Sequence, residues 1–213
     1  MPQTGELESV TVLRNRIENC RICVENPVKT PLPHDPRPVL QVSSSARLCI
    51  CGQAPGTRVH QSGRPFTDPS GDRLRGWMGI DETVFYDPDR LAIVPMGFCF
   101  PGLDQKGGDL PPRAECRTAW HDQLFEALPK IELILVIGQY AQAYHLGQKR
   151  KKTLTETVAN WREYLHADRP YAGPAVLPLP HPSWRNNAWL KKNPWFEIDL
   201  LPVLRSEVQR LVD

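Results

Sequence analysis

Apolar residues recur along this chain with two different periods. Short unbroken runs, Leu48 to Cys51, Leu91 to Pro95, Ile131 to Ile137 and Ala175 to Leu179, read as strands buried on both faces. Other segments repeat every three or four residues and predict helices. Leu7, Val10, Leu13 and Ile17 mark a first helix running to about Asn19. Trp120, Leu124 and Leu128 form one stripe of a helix over Arg113 to Leu128. Helical segments are also expected from Gln139 to His145 and from Leu154 to Leu165. In the latter, Leu154, Val158, Trp161 and Leu165 share a face. Ser70 is placed to cap a helix carrying Leu74 and Trp77. Asn193-Pro194 reads as the cap and first turn of a last helix, which Pro202 should kink or divide.

Four apolar strands separated by helices predict an α/β fold with a parallel sheet and helices on both faces. Three of the strands end in unusual loops: Gly52-Gln53-Ala54-Pro55-Gly56, Met96-Gly97-Phe98-Cys99 and Pro180-His181-Pro182-Ser183. In an open parallel sheet such loops gather at the carboxyl ends of the strands, where ligands bind. Two glycines and a proline in the first loop force a turn and thin the backbone, so a ligand can approach it closely. The polar stretch that follows carries one aromatic, Phe66, and one carboxylate, Asp68, which equally reads as a turn or cap residue. Asn26 to Ser45 is rich in proline and serine and is expected to wander over the surface.

Composition narrows the picture. At 213 residues the chain is expected to be a single domain over 1–213, with the first helix, a cysteine pair and the Pro-rich loop in 1–45 and the sheet and helices in 46–213. The net charge of +2 does not announce a nucleic-acid binder, so any such surface must be local. Twenty-two prolines are about twice the usual share. There is no leader pattern and no run of membrane-spanning length, which reads as a soluble, cytoplasmic protein; a monomer is expected. In that compartment the six cysteines are ligands, catalytic groups or core residues rather than disulfides. Cys49 and Cys51, two apart on a strand, read as small core residues. Cys20 and Cys23 form a close pair, and Cys99 and Cys116 stand in loops. Zinc sites more often use two close pairs, so the wide second pair favours an iron–sulfur cluster.

These parts, taken in order, resemble the uracil-DNA glycosylase superfamily, and within it the iron–sulfur branches called families 4 and 5. The resemblance runs from Cys20 to about Asn187. Cys20-Arg-Ile-Cys23 precedes the first strand. Gly52-Gln53-Ala54-Pro55-Gly56 is similar to the first superfamily motif, and Ser62-Gly63-Arg64-Pro65-Phe66-Thr67-Asp68 to the stretch that supplies a stacking aromatic. Cys99 and Cys116 match the second cluster pair, and His181-Pro182-Ser183 the second catalytic motif. The resemblance implies a three-layer α/β/α sandwich with a four-stranded parallel sheet. It also implies a 4Fe-4S cluster of mainly structural role, held by Cys20, Cys23, Cys99 and Cys116. The implied activity is excision of uracil from DNA, leaving an abasic site, with uracil-containing DNA as the partner and the nucleoid as the place of action. A damage-binding or cross-linking protein on the same scaffold is the alternative.

The chemistry assigns roles to these residues. Cutting the bond between base and deoxyribose makes a sugar cation and a base anion, and the nucleotide must first leave the duplex. A neutral His181 can donate a hydrogen bond to the anion on uracil O2, worth about 3–4 kcal/mol at the transition state. Phe66 offers a stacking face worth roughly 1–3 kcal/mol. Asp68 is the candidate carboxylate for the sugar cation or an attacking water, and Gly52, Gln53, Ala54 and Gly97 are expected to surround the base. His60 is a weaker catalytic candidate. Trp184 or Arg185 is expected to fill the gap left by the flipped base, Ser183 to bind a phosphate, and Lys149, Arg150 and their lysine neighbours to track the backbone. Three departures stand out. No carboxylate lies within the first motif. Pro95 occupies the place where related enzymes often carry a base-reading asparagine, so backbone groups of Met96-Gly97-Phe98 or another polar side chain must read the base. The loop between Phe66 and Asp68 is one residue shorter than in family 5.

Overall fold

The computed structural model describes residues 9–165 and 173–213. Among these, four strands form one parallel sheet: β1 (Leu48–Cys51), β2 (Leu91–Ile93), β3 (Leu133–Ile137) and β4 (Ala175–Leu179), in the order β2-β1-β3-β4. Leu48 pairs with both Leu91 and Leu133, and Leu133 pairs with Ala175, so the strands begin level, while β3 and β4 run on past the ends of β1 and β2. Helices cover both faces, as the sequence pattern requires for strands without polar alternation.

The alternation of side chains along each strand divides the core in two. Leu48, Ile50, Leu91, Ile93, Leu133, Leu135 and Ile137 point to one side. They meet Leu74, Trp77 and Met78 of helix Pro69–Met78, Val158, and Leu204, Val208 and Leu211 of helix Leu201–Val212. Cys49, Cys51, Ala92, Val94, Ile134 and Val136 point to the other side. They meet Leu13 and Ile17 of helix Val10–Glu18, Trp120, Leu124 and Ala141. Cys49 and Cys51 are fully buried with their sulfurs 3.7 Å apart, in keeping with their reading as small core residues.

Several boundaries differ from the sequence expectation, each for a local reason. β2 stops at Ile93 because Pro95 has no N–H to continue the ladder; Val94 N–H still reaches Ile50 O at 2.9 Å. The stretch Arg113 to Leu128 is helical but widens into a π turn over Arg117–His121 between Ala114–Cys116 and Asp122–Glu126. Leu154 to Leu165 is broken at Asn160 into Leu154–Ala159 and Arg162–Leu165. Pro202 does divide the C-terminal segment: a π turn over Phe196–Leu200 gives way to Leu201–Val212 with Pro202 in its first turn. Helices Thr57–Ser62, Glu82–Phe85 and Asn187–Lys192 are too short and polar to show a period in the sequence. Leu7, part of the first periodic stripe, lies outside the described residues. The Pro-rich segment is less superficial than its composition suggests. Leu32, Val39 and Val42 are buried, and Gln41 forms an antiparallel bridge with Ile93 that covers the outer edge of β2. No helix among the described residues is long and apolar enough to cross a membrane.

Two imidazoles are locked into the second half of the core. His121, fully buried in the π turn, packs against Phe98 and Tyr144 at 5.3 and 5.4 Å, and burial pushes it down to about 4. His145 packs edge-on against Phe125 and Tyr144, and burial pushes it down to about 3. Both rings fold neutral and charge on unfolding, so the unfolded chain binds more protons below the ordinary histidine value of about 6.5. Their contribution is complete above that value and is lost as pH falls toward about 4. The urea midpoint is therefore expected to decline between pH 6.5 and 4.5, above the range where ordinary carboxylates titrate. His145→Leu should flatten that decline, and a midpoint unchanged over this interval contradicts the assignment.

Candidate active site

A pocket enclosing about 590 Å³, mouth included, opens at the carboxyl edge of the sheet. Its floor is the turn Gly52-Gln53-Ala54-Pro55-Gly56 after β1, with Ile93 and Pro95 from the end of β2. One wall is Pro65, Phe66, Asp68 and Ser70. His181, two residues beyond β4, and Asp109, from the loop after β2, complete the rim. Five of the residues expected from the sequence, Gly52, Gln53, Ala54, Phe66 and Asp68, thus share one cavity with His181.

The Phe66 wall is held under strain. Among the described residues Phe66 is the one other than glycine with positive φ, at 54°, a conformation that costs on the order of 1–3 kcal/mol and persists only when its surroundings enforce it. The enforcement is visible. The Tyr86 hydroxyl reaches the carbonyls of Pro65 and Phe66 at 2.9 and 3.2 Å, and the Arg64 guanidinium lies 3.5 Å from the centre of the Tyr86 ring. Phe85 meets Phe66 edge-on at 5.9 Å. A Cβ on Gly71 would overlap the Phe66 carbonyl oxygen, so only glycine permits this approach. The Phe66 ring lies across the end of β1, its edge 3.5 Å from where a Cβ on Gly52 would stand, an ordinary contact distance. Tyr86 and Gly71 carry no motif signal, and both set the position of the stacking face.

Asp68, not Ser70, caps helix Pro69–Met78. Its Oδ1 accepts from the Ser70 N–H at 2.9 Å and the Gly71 N–H at 3.3 Å, and from the Ser70 hydroxyl. The carboxylate is in the pocket, but one of its oxygens is committed to the helix start.

His181 is oriented by its own loop. The Ser183 N–H donates to His181 Nδ1 at 3.2 Å, which leaves Nε2 to carry the ring proton. Asn186 Nδ2 donates to the His181 carbonyl at 2.7 Å, and Pro182 is buried beside it. Burial lowers the imidazole below the ordinary histidine value; Asp68 and Asp109 pull it back up and Arg185 reinforces the lowering. A neutral ring with an Nε2–H therefore lines the pocket near neutral pH.

Other expected contacts fall elsewhere. Gly97 does not line the pocket. Its N–H donates to Gln53 O, the Met96 N–H to Gly52 O, and the Phe98 N–H to Cys116 Sγ at 3.4 Å, so the backbone donors expected to read a base are already used. Ser183 caps the short turn Trp184–Asn186: its hydroxyl accepts from the Arg185 N–H at 3.1 Å, and its carbonyl accepts from Arg73 at 3.1 Å. Trp184 is 72% exposed at the tip of that turn. Lys149 and Arg150 do not line the pocket. Their loop is tied to helix Arg162–Leu165 by the Tyr164 hydroxyl on the Lys149 carbonyl and by Lys151 on Glu163 at 2.7 Å. His60 lies outside the pocket, packed at a tilt against His34 and Phe100 with ring centres 4.4 and 5.7 Å away.

Apart from the pocket lining, Cys20 and Cys23 from the N-terminal segment approach Cys99 and Cys116. Cys23, Cys99 and Cys116 are buried and all four are free thiols. Cys116 donates to Cys23, which brings the Cys23 thiol down to about 7, and burial pushes Cys99 up to about 12. N–H donors surround the sulfurs: the Trp120 indole on Cys20 at 3.3 Å, Arg113 on Cys23, the Arg37 backbone on Cys99 and the Phe98 backbone on Cys116. Such donors suit thiolates bound to a cluster. Among the described residues no group of three or more His, Cys, Asp or Glu side chains is placed to hold a single metal ion. An iron–sulfur cube spaces its thiolates more widely than one ion does, so the donor set remains compatible with a cluster.

The Phe66 wall supplies a direct test. Gly71→Ala must displace the Phe66 carbonyl, at an expected cost of about 1–3 kcal/mol in unfolding free energy. Tyr86→Phe removes two hydrogen bonds from the strained segment and should cost about 1–2 kcal/mol by the same urea titration. A Gly71→Ala protein as stable as the parent contradicts the enforced geometry.

The family described as the Uracil DNA glycosylase superfamily matches residues 40–205, a span that holds the glycine turn, the Phe66 wall, Asp109 and His181. With the four-stranded parallel sheet and the pocket at its carboxyl edge, this match shows that the chain belongs to the uracil-DNA glycosylase superfamily.

Proposed function

We propose that this member of a DNA glycosylase superfamily is a monofunctional uracil-DNA glycosylase, which hydrolyses the bond between uracil and deoxyribose and leaves an abasic site. The observation that carries this reading is the tautomer of His181: a neutral, pre-aimed Nε2–H lining a pocket whose wall is an aromatic face. The extruded uracil stacks on Phe66. His181 donates to O2 as the C1′–N1 bond breaks and its electron pair passes to the base. Such a donor costs no reorganisation during reaction. Asp68 adds negative charge beside the sugar, where positive charge grows. Gln53 is the pocket residue whose carboxamide offers both an N–H and a carbonyl, matching uracil O4 and N3–H. It takes the place of the asparagine absent at Pro95. Trp184, exposed at the rim, fills the space the base vacates, and Arg185 accompanies it toward the phosphates.

We further propose that Cys20, Cys23, Cys99 and Cys116 hold a 4Fe-4S cluster. When bound, the cluster supplies a rigid tie between the N-terminal segment and the loop after β2. The four thiols that approach one another, each with an N–H donor, support this. Protein purified without oxygen is expected to carry iron and sulfide in equal amounts and to absorb broadly in the visible. Cys99→Ser should lower both the iron content and the thermal midpoint, and colourless, iron-free wild-type protein contradicts the assignment.

The catalytic reading is tested by single-turnover cleavage of labelled uracil DNA followed by alkali. His181→Ala should lower the rate roughly 10²–10³-fold, as loss of one oxyanion donor does, with little change in DNA affinity. Because burial lowers the His181 imidazole, the wild-type rate should hold below pH 6.5 and fall only in more acid solution, once the ring charges. A wild-type rate in His181→Ala sinks the assignment.

A further inference from the structure

The loop between β2 and helix Ala114–Cys116 delivers a carboxylate that no motif announced. Asp109 lines the pocket together with His181 and Asp68. Its Oδ2 lies 3.6 Å from where a Cβ on Gly56 would stand, so it reaches over the second glycine of the first motif. Loss of water around it raises its carboxyl most; among neighbouring groups Arg185 and a charged His181 would pull it down and Asp68 pushes it up.

The loop that carries Asp109 is built to hold it still. Asp104 is its hub: Oδ1 accepts from the N–H groups of Lys106 and Gly108, both at 2.8 Å. The Gly107 N–H donates to the Asp104 carbonyl at 3.0 Å, and the Asp104 N–H to Gly108 O at 2.7 Å. Leu103 bridges Asp109, and the Leu110 N–H closes onto Gly102 O at 3.0 Å. The backbone that carries Asp109 is thus tied on both sides, and the Asp109 carboxylate stands on a held loop rather than at a free tip. Asp68, by contrast, has one oxygen committed to the start of its helix.

Resting on the glycosylase reading above, we propose that Asp109 is the water-activating carboxylate of this site, and that Asp68 acts chiefly as a positioning residue for the Phe66 wall. In the reaction the C1′–N1 bond breaks and its electron pair leaves on the base, held by His181. The oxygen of a water molecule bonds to C1′, and the proton that it sheds passes to Asp109. Asp109 then returns that proton to solvent or to the departing base. The missing carboxylate of the first motif is replaced in space from a different loop, above Gly56 instead of within Gly52 to Ala54.

The test pairs rate with an uncatalysed readout. Single-turnover excision of uracil is measured for the wild type, Asp109→Asn, Asp109→Glu and Asp68→Asn. Removing a general base is expected to cost about 10²–10⁴-fold, so Asp109→Asn should fall at least about 100-fold, with Asp109→Glu recovering part of the loss and Asp68→Asn falling less. Binding is measured to duplexes carrying a cationic pyrrolidine abasic analogue or a neutral tetrahydrofuran one. The wild type should prefer the cationic analogue, and Asp109→Asn should lose that preference while holding the neutral duplex as before. An Asp109→Asn rate within about threefold of an active wild type overturns this assignment alone, as does an equal loss of affinity for both analogues, which would mark Asp109 as a structural loop residue. A wild type that releases no base overturns the glycosylase reading and this assignment with it.

Discussion

Two backbone hydrogen bonds hold the site together. The Met96 N–H meets Gly52 O and the Gly97 N–H meets Gln53 O, both at 2.9 Å, beyond the last residues of β1 and β2. They extend a parallel ladder past Pro95, which cannot contribute a donor. The glycine turn is thereby fastened to the loop that carries Cys99 on one side and leads to Asp109 on the other. If these bonds were absent, the pocket floor, the cysteine group and the rim carboxylate would be three unrelated loops. Their presence explains why Met96 and Gly97 have no N–H left for a base, and it is the reason the proposed recognition is assigned to the side chain of Gln53.

On this frame the pocket sorts its charges. Burial keeps His181 neutral and its loop fixes the proton on Nε2, while Arg185 and two aspartates surround it. A neutral donor for the growing anion and carboxylates for the growing cation are the two requirements of N-glycosidic cleavage. The strained Phe66 belongs to the same arrangement. Its positive φ is enforced by Tyr86 and Gly71, so the aromatic wall proposed to stack a base is held in place by its own surroundings.

How much of this was legible beforehand depended on range. The four strands and most helices followed from periodicity, because burial on both faces leaves a plain apolar signature. The family match covers residues 40–205 and so takes in Cys99 and Cys116 but not Cys20 and Cys23, whose reading rests on spacing and on their approach in space. His181 was visible because prolines and a serine frame it. The dual nature of Asp68 was visible only as an ambiguity, since a cap and a catalytic acid look alike in sequence. Asp109 was not visible: it lies in a glycine-rich loop, and only the chain's return over Gly56 brings its carboxylate into the pocket. Tyr86 and Gly71 were silent for the same reason, acting through a contact some twenty residues away in one case and through a missing Cβ in the other. Gly97 illustrates the opposite error, a residue at the right strand end whose N–H is already used.

The central claim is that this pocket breaks an N-glycosidic bond in DNA. The most direct measurement is of the released base itself: wild-type protein is mixed with a molar excess of a uracil-containing oligonucleotide, and free uracil is quantified by mass spectrometry over time. The account predicts free uracil in amounts exceeding the protein, matched one for one by abasic sites. Bound DNA with no free base would contradict it.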